Sequence, residues 1–254
     1  MTDSPTDPIA PPAFITRADG LRLATRHRAG DGPTIVFLPG YKSDMLGGKA
    51  QGIDAWAART GRALLRLDYA GCGESEGEFE DGTLASWRDD ARLAIDTLAP
   101  EGPLLLVGSS MGGWLALLLA RELGERVVGL VGIAAAPDFT DWGFDALQKA
   151  TIRRDGRLVE PTPYGDEAVL TTYGFWNSGE SLRVLDGPIA IDCPVRLLQG
   201  QADPDVPWQT ALRIAERVRS ADVQTILVKD GDHRFSRPQD IALLIGTLAS
   251  LTEP

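Results

Sequence analysis

A serine flanked by glycines is the residue whose type and spacing are best suited to chemistry. The stretch Gly108-Ser109-Ser110-Met111-Gly112 has the pattern G-x-S-x-G, and it joins a predicted strand to a predicted helix. On such a sharp turn the middle residue exposes its hydroxyl above a sheet, at the positive end of the following helix. We therefore predict that Ser110, and not Ser109, is a nucleophile. The alternative is that small residues merely permit a tight turn.

A serine hydroxyl is a weak nucleophile and needs a general base. The chain has two histidines. His27 lies on a predicted early strand between two arginines, and we interpret it as a surface residue. His233 lies in KDGDHRFS, between the strand VQTILV and the last helix, on the same edge of the predicted sheet as Ser110. His233 is the predicted base, and the alternative is an ordinary solvated loop residue.

A third residue is needed to hold the histidine ring and stabilise its cation. Asp203 lies three residues after the predicted strand VRLLQG. Asp205 is the near alternative and Asp138 a more distant one, and each could instead be a turn or helix-cap residue. Position favours Asp203, and the chain order Ser110, Asp203, His233 is that of the α/β-hydrolase fold.

Acyl transfer at a serine also needs backbone N–H donors for the oxyanion. One is the amide that follows the nucleophile, which belongs to Met111. The other is expected in the loop Leu38 to Asp44 after the first buried strand, where Gly40 permits close backbone approach and Tyr41 is the predicted donor. The alternative for this loop is an ordinary Pro-Gly turn.

The stretch DYAGCGESEG, residues 68–77, contains closely spaced glycines. No G-K-[ST] follows, so it is not predicted to bind phosphate. We interpret it as a structural turn near the site, and Cys72 within it as a small packed residue and not a nucleophile.

Strands and helices that alternate along the chain must position these residues. The predicted strands are continuous apolar runs, and the predicted helices show helical apolar spacing with glycine or proline at their ends. In chain order the predicted strands are 34–40, 63–69, 103–110, 127–136, 195–200 and 223–228, and the predicted helices are 50–60, 84–98, 111–123, 209–220 and 238–251. This alternation predicts an α/β fold of the α/β-hydrolase type, with a mostly parallel sheet covered by helices on both faces.

The alternation stops at residues 138–188, where we predict a short cap inserted over the C-terminal edge of the sheet. This segment carries Trp142, Phe144, Tyr164, Tyr173, Phe175 and Trp176. Their side chains are predicted either to pack as a small satellite core or, as a set, to form an apolar wall for an acyl group. The predicted organisation is a disordered segment at residues 1–12 and one domain at residues 13–254 with the cap insertion at about 138–188.

Composition argues against several classes of function. The 254 residues include 25 Lys and Arg and 36 Asp and Glu, a net charge of −11, which disfavours nucleic acid and anionic membrane surfaces as partners. Cys72 and Cys193 do not suggest disulfides or a zinc site, and so few cysteines are typical of a reducing compartment. The first residues lack the features of a signal or transit peptide, and no apolar run has membrane-spanning length. We predict a cytoplasmic protein without stable membrane insertion and without a metal or organic cofactor.

Six stretches carry a resemblance to a known family. They are LPGYKSDMLGGKA, RLDYAGCGESEG, TLASWRDD, VGSSMGGW, CPVRLLQGQADPDVPW and DHR, which lie between about residues 38 and 234. The chain resembles α/β-hydrolase-fold serine hydrolases. More narrowly, it is similar to the mitochondrial α/β-hydrolase-domain family described as acyl-glucuronide esterases and palmitoyl-protein thioesterases, with its bacterial relatives.

The resemblance implies hydrolysis of carboxylic esters or thioesters through Ser110, Asp203 and His233. It also favours Asp203 over Asp205, because the family pattern G-x-x-D-x-x-V-P matches residues 200–207. The implied partner is a small acyl ester or thioester, or an S-acylated protein. The N-terminus departs from the family, because it lacks a mitochondrial targeting segment.

Two other kinds of function stay open from the sequence. A non-catalytic member of the fold would bind a small molecule or a protein, although binding alone does not require all three triad residues. A peptidase or a carbon–carbon bond hydrolase would use the same triad, since the chemistry follows from the pocket and not from the fold. Epoxide hydrolases and haloalkane dehalogenases are disfavoured, because they use Asp where this chain has Ser110.

Overall fold

The computed structural model describes residues 11–161 and 168–252. Residues 1–10, most of the predicted disordered segment, lie outside the described residues, and so does Tyr164 of the predicted cap. The described residues form an eight-stranded sheet flanked by helices, with a separate pair of strands.

The strands and helices alternate as the sequence predicts. The strands are β1 (Ala13–Thr16), β2 (Arg22–Arg28), β3 (Asp31–Leu38), β4 (Arg62–Leu67), β5 (Leu104–Ser109), β6 (Val127–Ile133), β7 (Arg157–Glu160), β8 (Val169–Thr172), β9 (Val195–Gly200) and β10 (Val223–Val228). The helices are α1 (Gly48–Thr60), α2 (Leu84–Leu98), α3 (Met111–Leu123), α4 (Phe139–Trp142), α5 (Ala146–Asp155), α6 (Tyr173–Ser181), α7 (Gln209–Arg217) and α8 (Pro238–Thr252).

The main sheet has the strand order β1-β2-β4-β3-β5-β6-β9-β10. β1 and β2 are antiparallel to their neighbours, and the six strands from β4 to β10 run parallel. Because the carboxyl ends of parallel strands lie at one edge, the loops after β3, β5, β6, β9 and β10 meet there. This edge is where ligands bind in open α/β sheets.

Local signals set the ends of several helices. α2 begins with a capping box, in which the Thr83 hydroxyl oxygen accepts from the Ser86 amide at 3.0 Å and the Ser86 hydroxyl oxygen accepts from the Thr83 amide at 2.9 Å. α1 ends at Gly61, whose φ of +69° is readily adopted only by glycine. These ends agree with the predicted ones to within two residues.

Two predicted elements each end three residues earlier in the structure. β6 ends at Ile133 and not at Ala136, because Ala134 has a φ of +44°, which breaks the extended conformation. α7 ends at Arg217, because Val218 is extended.

The core consists of two apolar layers, one on each face of the sheet. One layer contains α2 and α3 with the buried indoles of Trp87 and Trp114. The other contains α1 and α8 with Trp56, Leu244 and Leu248. Within the described ranges, no helix combines the length and the apolar character that a membrane crossing requires.

The predicted cap segment contains α4, α5, α6 and the antiparallel pair β7-β8, between β6 and β9. Asp138 accepts hydrogen bonds from the Val184 and Leu185 amides, both at 2.8 Å, and so joins the two ends of this segment. Burial raises the pKa of Asp138, while these two amides act to lower it.

Candidate active site

Ser110 occupies a strained turn between β5 and α3. Its backbone has φ +52° and ψ −119°, outside the regions that L-residues favour. The turn is held by three hydrogen bonds: the Ser110 amide donates to the Ile133 carbonyl at 2.9 Å, and the Ser110 carbonyl accepts from the Gly113 and Ala136 amides at 2.9 and 3.0 Å. Such strain is typical of a nucleophile on a strand-to-helix turn.

The glycines of the serine motif are required by close backbone packing. A Cβ on Gly108 would lie 2.1 Å from the Gly112 carbonyl oxygen, and a Cβ on Gly112 would lie 2.0 Å from the Leu38 carbonyl oxygen. This packing accounts for both glycines, and the role of Ser110 stays a prediction. The two glycines press the start of α3 against the end of β3, which brings the loop after β3 to Ser110.

His233 and Asp203 meet at the same edge of the sheet. His233 Nδ1 lies 2.9 Å from Asp203 Oδ2, and the Asp203 side chain is fully buried. His233 lies in the loop after β10, and Asp203 lies in the loop after β9. The structure thus brings together two residues that are 30 positions apart in the sequence.

The surroundings of Asp203 favour its ionised form. Asp203 Oδ1 accepts from the amides of Asp205 at 2.8 Å and Val206 at 2.9 Å. Burial acts to raise the pKa of Asp203, but the hydrogen bond and charge of His233 and the two amides outweigh it, so the pKa lies below its ordinary value. A fully buried carboxylate beside a histidine is suited to stabilising an imidazolium.

A cavity of about 290 Å³ lies beside the loop after β3. Ser110 and His233 both line it, together with Gly40 and Tyr41 of the loop after β3. A Cβ on Gly40 would lie 3.3 Å from Ser110 Cβ, so glycine allows this loop to approach the serine closely. Met111 is the first residue of α3, where backbone N–H groups have no partner within the helix.

A buried carboxylate that the sequence did not reveal fixes the loop after β3. Asp68 Oδ1 accepts from the Met45 amide at 2.7 Å, and Asp68 Oδ2 accepts from the Glu74 amide at 2.9 Å. Asp68 is fully buried, and burial raises its pKa. The stretch 68–77 is thus a structural turn, as predicted, and it also anchors the loop that carries Tyr41.

The alternatives considered for each role differ in their surroundings. Asp138 bonds two amides of the cap segment, and His27 is exposed on β2. Cys72 is buried, and burial raises the pKa of its thiol to about 12, so it is not ionised near neutral pH. Asp205 is exposed, although its carboxylate lies within 4.8 Å of the Asp203 and His233 ligand atoms.

Asp203, Asp205 and His233 are also the described residues most suitable as metal ligands, by the proximity of their oxygen and nitrogen atoms. Both oxygens of Asp203, however, already accept hydrogen bonds, from two amides on one side and from His233 on the other. The group is therefore better suited to hold a histidine ring than to hold a cation.

The aromatic residues of the cap segment are mostly packed against other rings. Phe175 and Trp176 are buried, and the ring centroid of Phe175 lies 4.6 Å from that of Tyr41. The indole N–H of Trp142 donates to the Pro137 carbonyl at 2.8 Å. The described residues that line the cavity beside Ser110 include none from 138–188. Phe175 belongs to the main core layer with Trp87 and Trp114 and not to a separate satellite core. The predicted acyl wall is not seen at this cavity.

Known proteins share both the sequence and the fold. The model of the Alpha/beta hydrolase family matches residues 35–242. Human palmitoyl-protein thioesterase ABHD10, mitochondrial, is 41% identical over 245 residues, which are 95% of this chain and 80% of the human protein.

Two solved structures agree with this match. A crystal structure described as a hydrolase from Agrobacterium vitis S4 has a TM-score of 0.90 at 41% identity, and the match covers 95% of this chain and 98% of that one. Mouse alpha/beta hydrolase domain-containing protein 10 has a TM-score of 0.87 at 39% identity, with the same coverage of 95% and 98%. The predicted fold and the resemblance are confirmed.

The predicted cytoplasmic location is wrong by the same comparison. The human, orangutan, bovine, mouse and rat relatives, at 39–41% identity, are all named as mitochondrial proteins. The prediction rested partly on the low cysteine count, which fits any reducing compartment and so does not distinguish between them. The prediction also rested on the composition of the first residues, and residues 1–10 lie outside the part of the chain that the structure describes.

Proposed function

The chain belongs to the alpha/beta hydrolase family and is an ester or thioester hydrolase, and we propose that Ser110, His233 and Asp203 are its catalytic triad. The observation that carries this proposal is the pair of His233 Nδ1 and buried Asp203 Oδ2 at 2.9 Å. His233 shares its cavity with Ser110, whose backbone has the strain expected of a nucleophile.

In the first half-reaction, His233 accepts the hydroxyl proton of Ser110 as Ser110 Oγ attacks the acyl carbonyl carbon. The oxyanion that forms is held by the backbone amides of Tyr41 and Met111. Asp203 keeps the His233 ring oriented and stabilises its cation. When the tetrahedral intermediate collapses, the alcohol or thiol leaves with the proton from His233, and the acyl group stays on Ser110.

In the second half-reaction, water replaces the leaving group. His233 takes a proton from water, and the oxygen attacks the acyl-enzyme carbonyl. Collapse of the second intermediate returns the proton to Ser110 Oγ and releases the carboxylic acid. All proton transfers in this cycle pass through His233.

The proposed substrates are acyl thioesters and esters, including S-acylated proteins. This choice is supported by the relatives that are named palmitoyl-protein thioesterases, which this chain matches over 95% of its length. The cavity beside Ser110 is lined by charged side chains such as Lys42, Lys49 and Arg234. We assign it to the polar leaving group, because an acyl chain is stabilised by apolar surface.

A fluorophosphonate probe tests the proposed nucleophile directly. We expect stoichiometric labelling of the wild type at Ser110 and none of Ser110→Ala, since the probe requires an activated hydroxyl. Ser109→Ala is the matched control and should be labelled like the wild type. Labelling that persists in Ser110→Ala, or that is lost only in Ser109→Ala, would contradict the assignment.

A further inference from the structure

Gln199 is a buried polar residue directly beside Asp203. It lies on β9 and is fully buried. Its side-chain Nε2 donates to Asp203 Oδ2 at 3.0 Å, and it also lies 3.2 Å from the Gly200 carbonyl oxygen and 3.3 Å from the Val206 carbonyl oxygen. The amide therefore connects the end of β9 to the turn that carries the aspartate.

The orientation of this amide is determined by its neighbours. All three oxygens around Nε2 are acceptors, so the NH₂ group must face them. The opposite orientation would put the Gln199 carbonyl oxygen against the Asp203 carboxylate. In the observed orientation Gln199 Oε1 is buried and has no hydrogen-bond partner among the residues that the structure describes. A buried acceptor without a partner is costly, and each such group in a native structure needs an explanation.

We propose that Gln199 is a positioning residue for the Asp203–His233 pair, an inference that rests on the proposed function. Asp203 accepts four hydrogen bonds: Oδ1 from the amides of Asp205 and Val206, and Oδ2 from Gln199 and His233. Four donors satisfy the capacity of a carboxylate. The carboxylate can then neither rotate nor approach His233 differently.

Gln199 also sets how much negative charge His233 meets. It donates to the same oxygen, Asp203 Oδ2, that faces His233 Nδ1. A donor on this oxygen spreads the charge of the carboxylate, as hydrogen bonding to a charged form does generally. Other titratable groups near the pair are Asp205, whose carboxylate lies within 4.8 Å of both partners, and Asp232 and Arg234, the chain neighbours of His233. An apolar residue at position 199 would avoid the orphan acceptor but would supply no donor to Asp203.

Gln199→Met tests the inference, because Met has a similar length and no donor. We expect kcat to fall about tenfold with little change in KM, as when a partner that orients a catalytic histidine is lost. We also expect the acid-side inflection of kcat/KM to move up by about half a pH unit, because the less compensated carboxylate favours the imidazolium. Gln224→Met, at an exposed position on β10, is the matched control.

A second variant keeps the inference testable if Gln199→Met does not fold. Gln199→Glu has the shape of the native side chain but places a carboxylate against Asp203 Oδ2. Two carboxylates in contact share a proton, so we expect a larger loss of kcat at neutral pH than in Gln199→Met. Wild-type kcat in Gln199→Glu would overturn the inference.

The remaining outcomes separate this inference from the proposed function. A pH profile and kcat of Gln199→Met that superimpose on the wild type, with only a lower Tm, would show a merely structural role. Asp203→Asn in the same panel reports on the triad itself. If Asp203→Asn is inactive while Gln199→Met is unchanged, only the role of Gln199 fails. If Asp203→Asn keeps full activity, the proposed triad fails, and the inference with it.

Discussion

Ser110 is one of five described non-glycine residues with a positive φ, and all five lie in loops at the carboxyl edge of the sheet. The others are Lys42 after β3, Ala134 and Asp138 after β6, and Phe235 after β10. Each such conformation costs about 1–3 kcal/mol, and it persists only where the surrounding structure imposes it. Lys42, Ser110 and Phe235 thus lie in the three loops that line the cavity, after β3, β5 and β10.

At this scale the sequence predicts the chemical groups but not what supports them. Ser110 lies in a local motif, and His233 has only one rival in the chain, so both can be found without a structure. Gln199 and Asp68 carry no such signal. Gln199 lies within an apolar strand, and the Met45 amide that Asp68 holds is 23 residues away in the chain.

The ionisation of Asp203 predicts a change of stability with pH. The pKa of Asp203 in the folded state lies below the ordinary value of 3.8. The ionised carboxylate therefore contributes to the free energy of unfolding above pH 3.8, and this contribution is lost as pH falls through the folded-state pKa. We expect the difference in unfolding free energy between wild type and Asp203→Asn to be present at about pH 5 and to shrink below about pH 4. Urea unfolding at several pH values measures it.

Asp81→Asn is the matched control for this prediction. Asp81 is exposed, and it lies apart in the sequence from the loops that carry Asp203 and His233. We expect this variant to keep the wild-type change of stability with pH. A difference for Asp203→Asn that does not shrink between about pH 5 and pH 3 would contradict the account of its ionisation.

At the scale of elements, Tyr41 connects the loop beside Ser110 to the cap segment. Its hydroxyl donates to the Leu170 carbonyl of β8 at 2.6 Å. Its ring centroid lies 5.1 Å from that of Phe79, 5.7 Å from that of Trp87 and 4.6 Å from that of Phe175. The proposed oxyanion loop and the cap are therefore parts of one packed unit.

This packing predicts different costs for two substitutions. Tyr41→Phe keeps the ring and loses one hydrogen bond, so we expect a loss of about 1 kcal/mol in unfolding free energy. Tyr41→Ala also removes the ring from the cluster, and we expect a loss of about 3–5 kcal/mol. Denaturant unfolding gives both values, with the exposed Tyr173→Phe as control. Equal losses for the two variants would mean that the ring contributes no packing energy.

The elements themselves differ in how well the sequence predicts them. α3 and the strands β9 and β10 have the predicted bounds, because apolar runs and glycines mark their ends. The cap was predicted only as a break in the pattern. Its short helices pack through scattered aromatic residues, and Asp138 joins its two ends by accepting hydrogen bonds from amides 46 and 47 residues away. Contacts between residues so far apart leave no local periodicity in the sequence from which the cap elements could be predicted.

At the scale of the whole molecule, the charge of the cavity is opposite to that of the chain. The net charge is −11, yet the cavity beside Ser110 contains Lys42, Lys49 and Arg234 against the single carboxylate of Asp44. Burial lowers the pKa of Lys49 to about 8, and the nearby Arg234 adds to this effect. A local positive field of this kind attracts anionic groups although the protein as a whole repels them.

This field predicts a pH-dependent preference for anionic leaving groups. Two substrates test it: the acetate ester of 4-hydroxybenzoate, which carries a free carboxylate, and the acetate ester of methyl 4-hydroxybenzoate, which does not. We expect the KM of the substrate with the free carboxylate to be about fivefold lower at pH 7, which corresponds to an interaction of ~1 kcal/mol. The preference should fall as pH rises through about 8, where Lys49 loses its proton. Lys49→Met should weaken it, and Lys229→Met, at an exposed position, should not. The same preference at pH 7 and pH 9.5 would contradict the role of Lys49.

The measurement that tests the central claim most directly is kcat/KM for a series of p-nitrophenyl esters and matched acyl thioesters of increasing chain length, for the wild type and Ser110→Ala. The account predicts that the wild type hydrolyses both classes and that Ser110→Ala loses at least about 10³-fold in kcat on each, since the nucleophile of the triad is absent. Near-wild-type turnover by Ser110→Ala on the substrates that the wild type accepts would show that hydrolysis does not proceed through Ser110.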